Sequence, residues 1–186
     1  RTGDWTDYQN GFDGNLDVTA KIGSRYAAFC RFSSKHNNSA EDCRFRFKYC
    51  EMTDKPAITQ PQETQRTVIS NWNERVTVDY PAGSVVTWIY IKHNNDSEDR
   101  RWKFTCSKFK GLRTEWCDGD WKNYINGFDE TFHFECEDGK VINGIDSYHD
   151  KGPKDRRFRF KCCRWEYEGC RVIDDIPATH ATPAIF

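Results

Sequence analysis

Leucine and methionine are nearly missing from this 186-residue chain: Leu16, Leu112 and Met52 are all there is. With so few strong helix formers, extended helices have little to be built from. Long apolar runs are missing too, so no membrane span is expected. Nor does a hydrophobic signal sequence open the chain, and Arg1-Thr2-Gly3-Asp4-Trp5 reads as the start of a processed product. There is no Cys-x-x-Cys pair and no histidine at zinc-finger spacing, so the cysteines do not read as a metal site. A net charge of −1 offers no overall basic footprint for generic nucleic-acid binding. Nucleophile elbow, phosphate loop and metal-ligand cluster are all missing, so neither an enzyme nor a cofactor is expected.

Aliphatic area is also scarce. Leu, Ile, Val and Phe together number 34, a composition that would suit disorder only if the net charge were large. Seven Trp, eight Tyr and thirteen Phe supply the missing area, since each large aromatic buries about 150–250 Å². Nine Cys supply cross-links, which implies an oxidising compartment and a secreted or surface protein.

What the chain does have is one stretch in three copies: Asp42-Cys43-Arg44-Phe45-Arg46-Phe47-Lys48-Tyr49-Cys50, Asp99-Arg100-Arg101-Trp102-Lys103-Phe104-Thr105-Cys106, and Asp155-Arg156-Arg157-Phe158-Arg159-Phe160-Lys161-Cys162-Cys163. Strict basic–aromatic alternation is the period of a half-buried strand, with aromatics inward and basic residues outward. Upstream, Trp5…Asn10-Gly11-Phe12-Asp13 is matched by Trp121…Asn126-Gly127-Phe128-Asp129, and the spacing from Trp to Gly23 equals that from Trp to Gly139. Trp72 and Gly83 keep the frame in the middle copy without the Asn-Gly turn. The fold expected is all-β: a single compact disulfide-stapled domain of three pseudo-symmetric β repeats, about three strands each, closing on a shared core. The repeats run 4–50, 71–106 and 121–170, with linkers 51–70 and 107–120 and an irregular tail 171–186. Trp5, Trp72 and Trp121 are read as core.

The frame also suggests disulfides. Cys136 and Cys162 occupy positions that are both non-Cys in the first repeat, Ala20 and Tyr49, so they are paired. Cys30 and Cys43 occur only in the first repeat, at the places of Asp146 and Arg156, which pairs them with each other. Cys117, just ahead of Trp121, is assigned to Cys163, and Cys50 to Cys170. Cys106 is left over, on the inward side, as a buried free thiol.

The Asp-Arg-x-aromatic-x-Phe-x-Cys motif, the Trp and Asn-Gly opening the unit, and Cys162-Cys163 followed by Cys170 resemble the dermatopontin family over about residues 4–170. Departures are Cys43 in place of the first motif Arg, and two of three opening cysteines missing. No Arg-Gly-Asp is present, so integrin-type adhesion is unsupported. The resemblance implies one of two functions. Vertebrate-type members are matrix proteins that bind proteoglycans and dermatan sulfate, while invertebrate members include carbohydrate-binding haemagglutinins and aggregation factors, with some shell-matrix or toxin components. Neither group is known for catalysis.

A sugar needs planar hydrogen-bonding groups for its hydroxyls and an aromatic face for its C–H surface, and the Arg fork also suits carboxylate and sulfate. The candidate carbohydrate-binding residues are therefore the Asp-Arg ends and the polar loops before them: Asp155, Arg156, Arg157, His149 and Asp150; Asp99, Arg100, Arg101, His93 and Asn94; Asp42 and Arg44. A plainer reading stands beside this one: each Asp pairs with an Arg to pin the strand end, and the Arg/Lys alternation is a solvated outer face. Asn37 and Asn95 match the N-glycosylation acceptor. The run Asp96-Ser97-Glu98-Asp99 lacks the spacing of a calcium loop, so no metal is expected. The partners expected are glycans, cell-surface or microbial saccharides and sulfated glycosaminoglycans among them, with homo-oligomers or three sites per chain raising avidity. The second and third repeats should bind more strongly, the first having traded Arg for Cys43.

Overall fold

Alternating side chains along a strand point to opposite faces, so the motif aromatics and the motif cations must part company. A computed structural model describes residues 4–51, 61, 63–64, 68–80 and 83–167. In it, Phe45, Phe47, Trp102, Phe104, Phe158 and Phe160 are all 2% exposed or less. The first repeat carries β1 (Leu16–Thr19), β2 (Lys21–Ile22), β3 (Arg25–Tyr26), β4 (Ala28–Asn37) and β5 (Asp42–Cys50), followed by β6 (Glu63–Thr64) and β7 (Val68–Ile69). The second carries β8 (Val76–Asp79), β9 (Val85–Asn94) and β10 (Asp99–Lys108), with β11 (Leu112–Glu115) after it. The third carries β12 (Phe132–Glu135), β13 (Lys140–Asp150) and β14 (Asp155–Tyr167). Among the described residues no helix is long and apolar enough to cross a membrane.

Each repeat folds its two long strands into an antiparallel hairpin, β4–β5, β9–β10 and β13–β14. Its short first strand is given away. β1 pairs with β9, β8 with β13, and β12 with β4, so every hairpin is completed by the preceding repeat and the last hands its strand to the first. The junctions match as well: the amides of Ala20, Tyr80 and Cys136 donate to the carbonyls of Thr87, Asn143 and Cys30, the residues left over at the bulges in β9, β13 and β4. An exchange of strands that closes on itself makes one body of three units, none of which can bury its own aromatic face.

The core lies where those faces meet. Trp102 is 5.1 Å from Phe45 and 5.4 Å from Phe158, ring to ring, so the first aromatic of each motif strand converges on the same centre. Phe32 packs edge-on to Phe47 at 5.1 Å and lies 5.2 Å from Phe160. Edge-to-face pairs of this kind add about 0.5–1.5 kcal/mol each beyond buried area, which offsets the poverty in leucine. The stretch 107–120, expected to be a linker, partly extends β10 and partly forms β11, which pairs with β14 and buries Leu112 beside Phe109 and Trp165. Within 51–70 the described residues supply β6 and β7 along β10. The tail 171–186 and Cys170 lie outside the described residues.

Two disulfides are as expected, Cys136–Cys162 and Cys117–Cys163. Two expectations are corrected: Cys30 bonds to Cys50, not to Cys43, and Cys50 is therefore not bonded to Cys170. Counting forward from Gly23 and Gly139 sets Cys30 against Asp146, but the first repeat spends three extra residues on the β2–β3 hairpin. In true register Ser33, opposite Arg46, holds the place of Asp146, opposite Arg159. Cys30 instead sits at the bulge beside Cys50, while Cys43 lies at the far end of the hairpin, opposite His36.

Cys106 is a buried free thiol, as expected, and Cys43 is another. The reason for the first is visible in the frame. Cys106 holds the strand position of Cys162, but Tyr80 stands where the third repeat has Cys136. Tyr80→Cys should therefore form a fourth bond with Cys106, read as a linked peptide pair in a non-reduced digest. Two free thiols at these positions in the folded variant would show that the frames do not coincide.

Candidate functional site

Turning three motif strands into one core brings their leading aspartates together, and a buried carboxylate needs a cation or strong donors. Asp42, Asp99 and Asp155 are 5%, 3% and 7% exposed. Each finds its partner in the next repeat. Arg100 clamps Asp42 with two bonds, Nε to Oδ1 at 2.8 Å and Nη2 to Oδ2 at 2.5 Å. Arg156 clamps Asp99 in the same way at 2.7 and 2.8 Å. The third position closes the ring differently: Cys43 Sγ donates to Asp155 Oδ1 at 3.6 Å. A histidine lies beside every carboxylate, His93 at 3.9 Å from Asp42, His149 at 3.8 Å from Asp99 and His36 at 3.9 Å from Asp155. The second oxygens of the aspartates accept main-chain N–H bonds from Asp13, Asn73 and Asp129. Those three residues, and Glu41, Glu98 and Lys154 just ahead of the aspartates, all have positive φ, so the ring is held by backbone turned tightly at equivalent points.

This placement decides much about the candidate residues. Asp42, Asp99, Asp155, Arg100, Arg156 and the His93 and His149 side chains are interior and present almost no surface to a ligand. Burial holds the His149 imidazole below its ordinary value. Asn94 and Asp150 sit at matching hairpin turns, together with Asn37. Their side-chain oxygens accept the turn amides of Ser97, Gly152, and Ser39 and Ala40 respectively. Of the two glycosylation candidates, Asn95 is exposed and Asn37 is half-buried in its turn.

Arg44, Arg101 and Arg157 behave differently. They point outward, are half-buried, and lie against aromatics. Arg44 lies 4.6 Å from the Tyr8 ring and 5.4 Å from Phe12; Arg157 lies 5.1 Å from Tyr124 and 5.7 Å from Phe128; Arg101 lies 5.5 Å from Trp72. Each donates its Nε to a main-chain carbonyl, of Asn10, Asn126 and Ser70 respectively. Asn10 and Asn126 also brace the motif strand, accepting from Phe45 and Phe158 N–H and donating to the Cys43 and Arg156 carbonyls. A second tier follows, with Arg46 over Trp5 and Arg159 over Trp121. Trp5, Trp72 and Trp121 were expected in the core; they are instead half-buried covers on the cationic face. Tyr8, Phe12 and Phe128 were not among the candidates. Their signal is Tyr-x-Asn-Gly-Phe, repeated at Tyr8 and Tyr124 in step with the basic strand.

The outer face of the third repeat is pinned by Asp146, fully buried and bonded by Arg75, Thr77, Arg159 and Tyr124. Burial pushes its carboxyl up, but the bonds from Arg75, Thr77, Arg159 and Tyr124 win and hold it at about 2, against an ordinary 3.8. A folded value below the unfolded one means stability that is complete above about pH 5 and lost as the pH falls toward 2. The wild type should lose about 2 kcal/mol more than Asp146→Asn across that interval in denaturant titrations. Equal losses would show that Asp146 is not the acid-sensitive group. The two arginine classes separate in the same assay. Arg156→Ala leaves Asp99 charged and unpaired inside and should cost about 3–5 kcal/mol, whereas Arg157→Ala should cost about 1 kcal/mol or less.

Interior ion pairs, exterior cation–aromatic faces and three disulfide staples define a disulfide-bonded all-β protein of internal repeats, whose distinctive surfaces are its outer basic strands. No family model matches the chain, and no solved structure matches it. Curated relatives do. The chain is 30% identical over 155 residues to the hemagglutinin/amebocyte aggregation factor of Limulus polyphemus, covering 83% of this chain and 86% of that one. It is 37% identical over 99 residues to dermatopontin of Biomphalaria glabrata, covering 52% and 64%. It is also 30% identical over 111 residues to Millepora cytotoxin-1 of Millepora dichotoma, covering 56% and 47%. The chain belongs to the dermatopontin family, and a lectin-like or matrix-adhesion role is supported at that level.

Proposed function

We propose that this is a secreted, non-enzymatic glycan-binding protein, and that the outward arginines with their flanking aromatics are its binding surfaces. The observation that carries the reading is the recurrence of one arrangement on successive repeats: Arg44 with Tyr8 and Phe12, Arg101 with Trp72, and Arg157 with Tyr124 and Phe128. An aromatic ring suits the C–H face of a sugar, and a guanidinium suits its hydroxyl, carboxylate or sulfate groups. Because Nε is spent on the main chain, the terminal nitrogens are what a ligand addresses. The trade of Arg for Cys43 falls on the interior position, so it does not disable the first repeat. Three disulfides among the described residues support an oxidising, extracellular setting. An agglutinating relative supports multivalent use, in which several weak sites, each near the millimolar affinity of about 4 kcal/mol, act together.

A second reading has its own support. Arg157, Arg159 and Lys161 line the outer face of β14, the latter two already paired with Asp146 and Asp79, and the Arg157 guanidinium suits the sulfate of a matrix glycosaminoglycan. Salt separates the two, since polyanion binding weakens steeply with ionic strength while neutral-sugar binding scarcely changes. A glycan array at low and high salt should show binding that falls at least several-fold in Arg157→Ala and Arg44→Ala proteins of unchanged fold. Wild-type binding to nothing at either salt, or full binding by both variants, would overturn the proposal.

A further inference from the structure

The buried ring has three carboxylates and only two guanidiniums. At Asp42 and Asp99 an arginine supplies the cation. At Asp155 the equivalent residue is Cys43, whose Sγ lies 3.6 Å from Asp155 Oδ1 and 3.4 Å from His36 Nδ1, those two atoms being 3.9 Å apart. All three side chains are buried, with His36 3% and Asp155 7% exposed as side chains and Cys43 8% as a residue. One thiol proton is shared between two acceptors, in the place where the other two positions hold a positive charge.

Those separations are the ones a metal ion would ask for. A tetrahedral ion with bonds of about 2.3 Å to sulfur and 2.0–2.1 Å to nitrogen and oxygen sets its ligand atoms about 3.3–3.6 Å apart. The His36–Asp155 distance is about half an ångström longer than the ~3.3–3.4 Å of a nitrogen–oxygen pair, so the two side chains must close slightly on the ion. On the far side of the imidazole, Asp129 Oδ1 lies 3.5 Å from His36 Nε2. A carboxylate there holds the proton on Nε2 and leaves Nδ1 free to ligate. The cavity at the ring is lined by Cys43 and Asp155 together with Asp42, Asp99, Arg100 and Arg156, but not by His36, and has about 20 Å³ for a water-sized body, which is room for one water on the Cys43–Asp155 side. Outside it, Lys154 pairs with Glu41 at 2.9 Å and bridges the first and third repeats.

We propose that Cys43, His36 and Asp155 form a binding site for a thiophilic divalent transition metal, with zinc the best fit to a thiolate, imidazole and carboxylate set. Binding replaces the thiol S–H bond by a sulfur–metal bond and releases one proton to solvent. The ion takes over the role that Arg100 and Arg156 play at the other two carboxylates, so it also ties the first repeat to the third. Asp13, Asp42 and His93 form a comparable cluster at the second position, but there Arg100 already neutralises the carboxylate. The inference is independent of the glycan reading.

The test uses the full-length protein stripped of metal with chelator. Cobalt(II) titration should give a thiolate-to-cobalt charge-transfer absorption and tetrahedral visible bands, saturating at one ion per chain and abolished by zinc. Zinc should raise the melting temperature. Cys43→Ser should lose the thiolate band and at least about 100-fold in affinity, and Asp129→Asn about 10-fold. Cys106→Ser should leave binding intact, which excludes the other free thiol among the described residues. Cys43→Arg, which restores the third guanidinium, should melt higher than the metal-free wild type and no longer respond to zinc. A cobalt spectrum without a thiolate band, undiminished zinc stabilisation in Cys43→Ser or Cys43→Arg, or no metal uptake by the wild type would each overturn the proposal.

Discussion

Three buried aspartates set the terms for this molecule. A carboxylate moved out of water loses several kcal/mol of hydration that only close, well-aligned partners restore. Here the partners come from another repeat, Arg100 to Asp42 and Arg156 to Asp99, with Cys43 answering Asp155. No repeat can satisfy its own aspartate. The same is true of its hairpin, which needs a short strand from the preceding repeat. Electrostatics and hydrogen bonding thus forbid partial folding for the same reason, and the lean aliphatic core is tolerable because the three units cannot come apart singly.

The alternating strands divide two kinds of work between their faces. Inward aromatics meet at the ring centre, where Trp102 touches Phe45 and Phe158. Outward cations are covered by Trp5, Trp72, Trp121 and the tyrosines beside them, so they are neither solvated nor buried. A face of stacked guanidiniums and rings keeps its shape without a ligand, which lowers the ordering cost of binding one. The interior arginines, by contrast, are committed inside the protein: besides its aspartate, Arg156 also donates to the Glu74 carbonyl and Arg100 to that of Gly14.

Much of this was legible in the chain. Strand period, the Cys136–Cys162 and Cys117–Cys163 bonds and the buried Cys106 follow from alternation, frame and proximity, whereas the expected linker at 107 does not, since β10 runs on to Lys108. Cys30 was misassigned because three residues inserted after Gly23 shift β4 against β13, and equal Trp-to-Gly spacing hides the shift. The Asp-Arg-Arg ends were singled out as one candidate and not resolved into their parts. Adjacent arginines in a strand face opposite ways, so Arg156 enters the ion-pair ring while Arg157 faces out. Sequence shows that two neighbours differ in direction, but not which direction holds a partner.

Sequence by itself therefore determined the β structure and the inward and outward sets, which depend on neighbours along the chain, and two of the cross-links, through comparison of the repeat frames and nearness to Trp121. Tertiary structure alone decided which unit answers which. The strand exchange, the aspartate–arginine ring and the Cys30–Cys50 bond pair groups by register and closure. So does the meeting of Cys43, His36 and Asp155, whose partners are 7 and 112 positions from Cys43. Distances of that kind are set only when the third repeat returns to the first.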